Sequence, residues 1–230
     1  KVPILKAIIN ETSINVDITV NRTNGYKTKD DVMRVLHRVP SMRKLIYVLK
    51  YFLRQRQLND AYSGGVSSFL LFNLVYAFFC YYIKSQLLLS TELEIESLSL
   101  GHLLLEFFEF YGVQFNYKKV GSSIRNGVFF YQRNDAEENR KHILSVENYQ
   151  EPTQDIGKGA YKFNVVIDSF TKARDSLRFP DSVGDSFLDK VINVDNFLLE
   201  RKSKKKEREI EEKIKLISKS EKELTSMKDK

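Results

Sequence analysis

Apolar residues follow two different rhythms along this chain. Near the start they alternate. Val2 to Ile9 is rich in β-formers, Asn10-Glu11-Thr12-Ser13 has turn composition, and Ile14-Asn15-Val16-Asp17-Ile18-Thr19-Val20-Asn21 alternates strictly. Ile14, Val16, Ile18 and Val20 then face one side, and Asn15, Asp17, Thr19 and Asn21 the other. The two segments predict a hairpin with one wet face. Thr23-Asn24-Gly25 is expected to turn the chain.

Beyond that point the spacing becomes helical. Lys29 to Arg38 places Val32, Val35 and Leu36 on one face, with Thr28 and Asp31 as a capping pair, and Pro40 is expected to stop it. Ser41 to Arg56 carries a core stripe of Leu45, Val48, Leu49 and Phe52. Ser63-Gly64-Gly65 breaks the chain before a long apolar helix that ends near Ile83. Gly101 to Tyr111 predicts a compact helix closed by Gly112, and Val128 to Tyr131 a short strand. Glu147 to Gly159 is polar and contains Pro and Gly, the composition of a loop. Tyr161 to Leu177 and Ser186 to Leu199 are helical again in pattern. Glu200 to Lys230 is mostly Lys, Glu and Ser, a solvated helix or a disordered extension. The expectation is an α+β, mainly helical architecture.

Composition narrows the classes. The 230 residues are 42% hydrophobic and 29% charged, enough for a packed core. Cys80 is the single cysteine, which rules out a disulfide framework and fits a reducing compartment. With only His37, His102 and His142 beside it, a Cys/His zinc site is excluded. The longest apolar run, Phe69 to Ile83, has 15 residues and includes Asn73. It is too short to span a bilayer, so no membrane partner is expected. The net charge is +7. From Glu200 onward there are 12 Lys/Arg against 8 Asp/Glu, so the tail holds most of the excess and the body is nearly balanced. The chain opens on Lys1 inside a strand-like segment, and a piece of a longer protein is expected.

Four places carry candidate chemistry. Asp17, mid-strand on the polar face, is either a solvated carboxylate or a metal ligand on a cleft floor. Arg43, Tyr47, Lys50 and Arg54 fall at i, i+4, i+7 and i+11, on one stripe away from the core residues. No acidic residue between Met42 and Leu58 offsets their repulsion, which costs a helix roughly 0.2–0.5 kcal/mol per like-charged pair. A bound polyphosphate would relieve it; a plain solvated basic face is the alternative. In Tyr62-Ser63-Gly64-Gly65-Val66-Ser67-Ser68-Phe69, two glycines and two serines lead into a helix N-terminus, an anion-binding geometry that capping alone also explains. Glu106 and Glu109 lie at i, i+3 on an apolar helix, where burial against a basic partner is favoured over metal binding.

The strings Asn15-Val16-Asp17-Ile18, Leu49-Lys50-Tyr51-Phe52-Leu53 and Leu58-Asn59-Asp60-Ala61-Tyr62-Ser63-Gly64-Gly65-Val66-Ser67-Ser68 resemble the atypical, template-independent poly(A) RNA polymerases of the DNA-polymerase-β-like superfamily, in their TRAMP-type branch. Gly101 to Tyr117 is similar to the core of their PAP-associated domain, and Ser145 to Tyr161 to their nucleotide-recognition loop. The resemblance implies residues 1–22 as a remnant of the nucleotidyltransferase palm, a helical central domain over 23–199 with its PAP-associated segment at about 100–160, and a charged tail over 200–230. It assigns Asp17 to catalysis and metal (Mg²⁺ or Mn²⁺), Asn24 to the nucleotide sugar, Lys50 and Arg54 to the triphosphate, Ser68 to phosphate, Phe69 to base stacking, and Glu147 with Asn148 to the base edge. It further implies ATP as substrate, an RNA 3′ end as acceptor, a zinc-knuckle adaptor and a helicase as partners, and a nuclear location. Two departures stand out. The family's Gly-Ser and Asp-x-Asp motif, which precedes the strand of Asp17, is absent, so this polypeptide alone is expected not to extend RNA. The usual Glu-Asp-Pro of the loop is Glu147-Asn148-Tyr149. The alternative reading is a non-catalytic module that keeps the fold and binds RNA or a partner protein.

Overall fold

The computed structural model describes residues 4–10, 14–20, 24–85, 98–125, 127–133, 143–178, 186–195 and 199–200, with scattered positions up to 214. Two units are distinguished, Lys1–Asp175 and Ser176–Lys230. No helix among the described residues is long and apolar enough to cross a membrane.

The first unit opens with β1 (Leu5–Ile9) and β2 (Ile14–Ile18), an antiparallel pair in which Lys6 stands opposite Asp17 and Leu5 opposite Ile18. The register puts Leu5, Ala7, Ile9, Ile14, Val16 and Ile18 on one face. That is the alternation read from the sequence. Every residue of β1 is exposed.

Helix α1 (Asn24–Arg38) begins earlier than the pattern suggests. Asn24 and Gly25 are helical rather than in a turn, and Thr28 is a helix-interior residue rather than a cap. Its hydroxyl instead donates to Gln150 Oε1 at 2.9 Å. Pro40 does end α1, and it also opens α2 (Pro40–Gln55), where the missing N–H of a first-turn proline costs nothing. α2 buries Met42, Leu45, Leu49, Phe52 and Leu53. α3 (Ser68–Ser85) and α4 (Leu100–Glu109) pack against it. Gly112 does not close α4: the chain continues through a wider turn, Phe110–Gln114. A side chain there would strike the backbone of Thr171, whose amide nitrogen lies 2.9 Å from the place of a Cβ.

The core is aromatic. Phe52, Phe107 and Phe108 surround Phe170 of α5 (Phe163–Arg178) at ring separations of 6.0, 5.5 and 5.4 Å. Tyr111 and Tyr117 lie in the same interior. Each hydroxyl donates to a carbonyl, Tyr111 to Leu74 at 2.8 Å and Tyr117 to Tyr111 at 2.5 Å. A second antiparallel pair, β3 (Val120–Ser123) and β4 (Phe129–Gln132), follows. β3 escapes sequence reading because Val-Gly-Ser-Ser has neither alternation nor bulk. The strand bridges Ser122 to Val146, and Glu147 then pairs with Asp155, which shapes the loop between them.

In the second unit, Phe187–Lys190 is a short 3-10 turn, and Val191–Asp195 is irregular, where the pattern predicts one helix over 186–199. Helical positions resume at Leu199 and recur to Ile214.

Candidate functional site

The turn from α2 into α3 is built by short backbone contacts. Gly65 N–H donates to Asp60 O at 2.8 Å, and Val66 N–H to Leu58 O at 2.7 Å. Asp60 Oδ1 accepts from Tyr62 N–H at 3.0 Å. Gly64 takes φ +85° and faces the Tyr161 ring, so it needs both a left-handed backbone and the absence of a side chain. The two serines divide the labour. Ser67 caps α3: its Oγ accepts from Leu70 N–H at 3.1 Å and its carbonyl from Leu71 N–H at 2.9 Å. Ser68, the first helical residue, keeps an exposed side chain. Helix geometry leaves the first-turn amides of Ser68 and Phe69 without an intrahelical acceptor, at the positive end of the dipole.

α2 shows Arg43, Tyr47, Lys50 and Arg54 on its exposed side, as the i, i+4, i+7, i+11 spacing requires; Tyr47 is 64% exposed. Asp17 is exposed on the polar face of the hairpin, across from Lys6. Among the described residues, no three His, Cys, Asp or Glu side chains cluster as a metal site. Asn24 starts α1, and its side chain lies outside the described part of the structure, as does His142. Glu109 has found its basic partner: Arg174 Nε lies 3.6 Å from Glu109 Oε2, with side chains 17% and 12% exposed.

Residues 147–155 form a braced loop. Glu147 Oε1 accepts from Ser123 Oγ at 3.0 Å and pairs with Arg125 Nε at 3.2 Å. Asn148 Oδ1 accepts from Gln150 N–H at 3.1 Å, and its Nδ2 donates to Gln154 Oε1 at 3.2 Å. Asp155 Oδ1 accepts from the amides of Val146 and Gly157 at 2.9 and 2.8 Å, while its Oδ2 accepts from Ser145 Oγ at 2.9 Å. Behind the loop is a polar cavity of about 270 Å³, lined by Tyr131, Ser145, Glu147, Thr153, Asp155 and Lys158 among others.

The loop meets the helix start. The Tyr149 ring lies 5.8 Å from that of Phe69, tilted by 48°. Its hydroxyl donates to Asp31 Oδ2 on α1 at 3.2 Å and accepts from Gln150 Nε2 at 3.3 Å. Burial, then the Asp31 carboxylate, pushes the phenol up to about 12. The structure thus brings Phe69, beside Ser68, to the loop 147–155. Tyr149, Asp31, Thr28 and Gln150 were not legible as site residues, because they meet across 118 and 122 positions of sequence.

Residues 99–154 match the PAP-associated family, described as Cid1 family poly A polymerase. Over 179 residues the chain is 36% identical to Poly(A) RNA polymerase CID14 of Cryptococcus neoformans, covering 77% of this chain and 23% of that protein. The chain belongs to the Cid1-type poly(A) polymerases. It is also 30% identical over 207 residues to Poly(A) RNA polymerase protein 1 of Saccharomyces cerevisiae, covering 84% of this chain and 32% of that one. Among solved structures, the polymerase core of TRAMP, a RNA surveillance complex, superposes with a TM-score of 0.68 at 25% identity, covering 84% of this chain and 64% of that chain. The Cid1-type chain therefore spans about a quarter to a third of the curated polymerases it matches.

Proposed function

We propose that this chain is the nucleotide-holding part of an RNA 3′-end adenylyltransferase. The observation that carries the reading is the meeting of the braced loop 147–155 with Phe69 at the start of α3. It puts a half-buried aromatic ring, a polar loop and a helix N-terminus side by side, which supports a stacking role for Phe69.

The roles follow from chemistry. Lys50 and Arg54 neutralise the triphosphate, and the exposed Ser68 hydroxyl with the first-turn amides donates to it. Phe69 stacks on the base. Asn24 is assigned to the sugar, and Glu147 and Asn148 to the base edge, by the family likeness. Glu147 and Asn148 already hold Ser123, Arg125, Gln150 and Gln154, so base reading involves an exchange of partners. In the reaction, the RNA 3′-OH, which Asp17 is proposed to help activate, gives up its proton as its oxygen bonds to the α-phosphorus of ATP, and pyrophosphate leaves with the electron pair of the broken P–O bond. Holding the reactants in line and neutralising their charge supplies the acceleration.

A divalent ion, Mg²⁺ or Mn²⁺, would stabilise the charge that develops on the phosphates. Asp17 offers one carboxylate to it, opposite the ammonium of Lys6. The described residues do not complete a metal site, so Asp17 is proposed only as one contributing ligand. The proposal extends to RNA surveillance or decay, with an adaptor and a helicase as partners, and to the nucleus. It is supported by the likeness to the TRAMP core and by the basic run Arg201-Lys202-Ser203-Lys204-Lys205-Lys206.

Two RNA-extension assays test the reading. Labelled RNA, ATP and Mg²⁺ with the 230-residue chain are expected to give no extension, because one carboxylate does not make the metal site. In a longer polypeptide where a Gly-Ser and Asp-x-Asp segment precedes this one, extension is expected, and Asp17→Ala abolishes it. Failure of such a polypeptide to extend RNA with any nucleotide favours a non-catalytic module.

A further inference from the structure

We propose that Tyr149 is the second ring of a base sandwich whose first ring is Phe69, and that it sets the preference of the site for purines. The inference rests on the reading of Phe69 as the stacking residue.

The pair is almost open enough already. A base between two rings needs two stacking gaps of about 3.5 Å each, so the rings must stand about 7 Å apart. They are 5.8 Å apart, which leaves an opening of about 1 Å to be made. The 48° tilt must also be removed. Tyrosine does this cheaply, because its second side-chain torsion is broad. Turning the ring about the axis through Cβ and the hydroxyl oxygen changes the plane and leaves the oxygen where it is. The bonds from Tyr149 to Asp31 and from Gln150 to Tyr149 survive that turn. The hydroxyl is thus a pivot fixed to α1. Gln150 is fixed there too, through Thr28.

The arrangement discriminates by size. A purine overlaps both rings, whereas a pyrimidine covers less of each, so the gain from opening the pair is larger for the purine. An ordinary loop aromatic would need neither a hydroxyl anchored 118 residues away nor a ring neighbour at a helix start.

The test is titration with 2-aminopurine riboside triphosphate, whose fluorescence is quenched when its base stacks on an aromatic ring. ATP and UTP serve as competitors. The parent chain is expected to quench the probe and prefer ATP. Tyr149→Ala is expected to lose most of the quench, to weaken probe binding about five- to hundredfold, and to lower the ATP-to-UTP affinity ratio at least about fivefold. Tyr149→Leu does the same while filling the volume, which separates loss of stacking from loss of fold. Tyr149→Phe keeps the quench. If Phe69→Ala abolishes the quench but Tyr149→Ala and Tyr149→Leu leave quench and ratio at parental values, the sandwich is wrong and the Phe69 subsite stands. If Phe69→Ala changes neither, the subsite reading and the sandwich both fall.

Discussion

Replacing Gly65 by alanine probes the turn on which the site depends. A Cβ at this position would lie 2.5 Å from the Leu58 carbonyl carbon and 3.0 Å from Asp60 O, and it would overlap Leu58 O as well. Carbon contacts are comfortable at about 3.5–4.0 Å, so about 1 Å of backbone movement is required. That movement is opposed on both sides. Gly65 N–H holds Asp60 O at 2.8 Å, and Val66 N–H holds Leu58 O at 2.7 Å. Leu58 and Val66 are themselves buried, at 4% and 2% exposure. Overpacking of this kind costs about 1–3 kcal/mol, and loss of one of the hydrogen bonds about 1 kcal/mol more. We expect destabilisation of about 2–4 kcal/mol, which lowers Tm by about 5–15 °C in a chain of this size. The assay is thermal unfolding followed by circular dichroism. Gly25→Ala is the control: nothing lies within 4 Å of its Cβ position and it is helical, so it should be neutral or stabilising by up to about 1 kcal/mol. A Gly65→Ala chain that melts with the parent would refute the close-approach argument.

Three further outcomes follow from the same geometry. Ser67→Ala removes the cap of α3 and should cost about 1 kcal/mol of stability, whereas Ser68→Ala should leave Tm unchanged and weaken ATP binding; the opposite assignment in paired melting and titration experiments contradicts the division of roles. Glu109→Ala leaves the Arg174 guanidinium, among the described residues, with Asp175 at 3.1 Å, and should cost about 1–3 kcal/mol by denaturant titration; an unchanged midpoint would show the partly buried pair to be inert. Burial holds Tyr111 and Tyr117 above the ordinary phenol range, so the unfolded chain releases their protons first. Their contribution is complete below about pH 10 and is lost as pH rises beyond it. Tm should therefore fall increasingly as pH rises above about 10, less so in Tyr111→Phe, and a flat profile would contradict the burial of these hydroxyls.

Much of this was legible in the sequence, for reasons particular residues show. The hairpin faces were readable because alternation is a local property, and the register sets Lys6 and Asp17 on the face opposite Ile14, Val16 and Ile18; the single wet face was not found, because Leu5, Ile9, Ile14 and Ile18 are exposed as well. The core of α2 was readable because Leu45, Leu49 and Phe52 repeat at helical spacing. Thr28 misled, since a threonine three residues before an acid is a capping signal only when no tertiary partner claims the hydroxyl, and Gln150 claims it. Gly112 misled because its role is close approach to Thr171 rather than termination of a helix. In the candidate site, the stripe of Lys50 and Arg54 and the Ser-Gly-Gly turn were found locally. The Tyr149 contacts were not, because periodicity carries no information about pairs so far apart in the chain.

In the proposed function this chain holds a nucleoside triphosphate through the exposed face of α2 and the first turn of α3. Calorimetric titration of the 230-residue chain with ATP tests it most directly. Measurable binding is expected, weakening about tenfold or more in Lys50→Ala with the fold intact. Undetectable binding, or an affinity unchanged by Lys50→Ala, would contradict it.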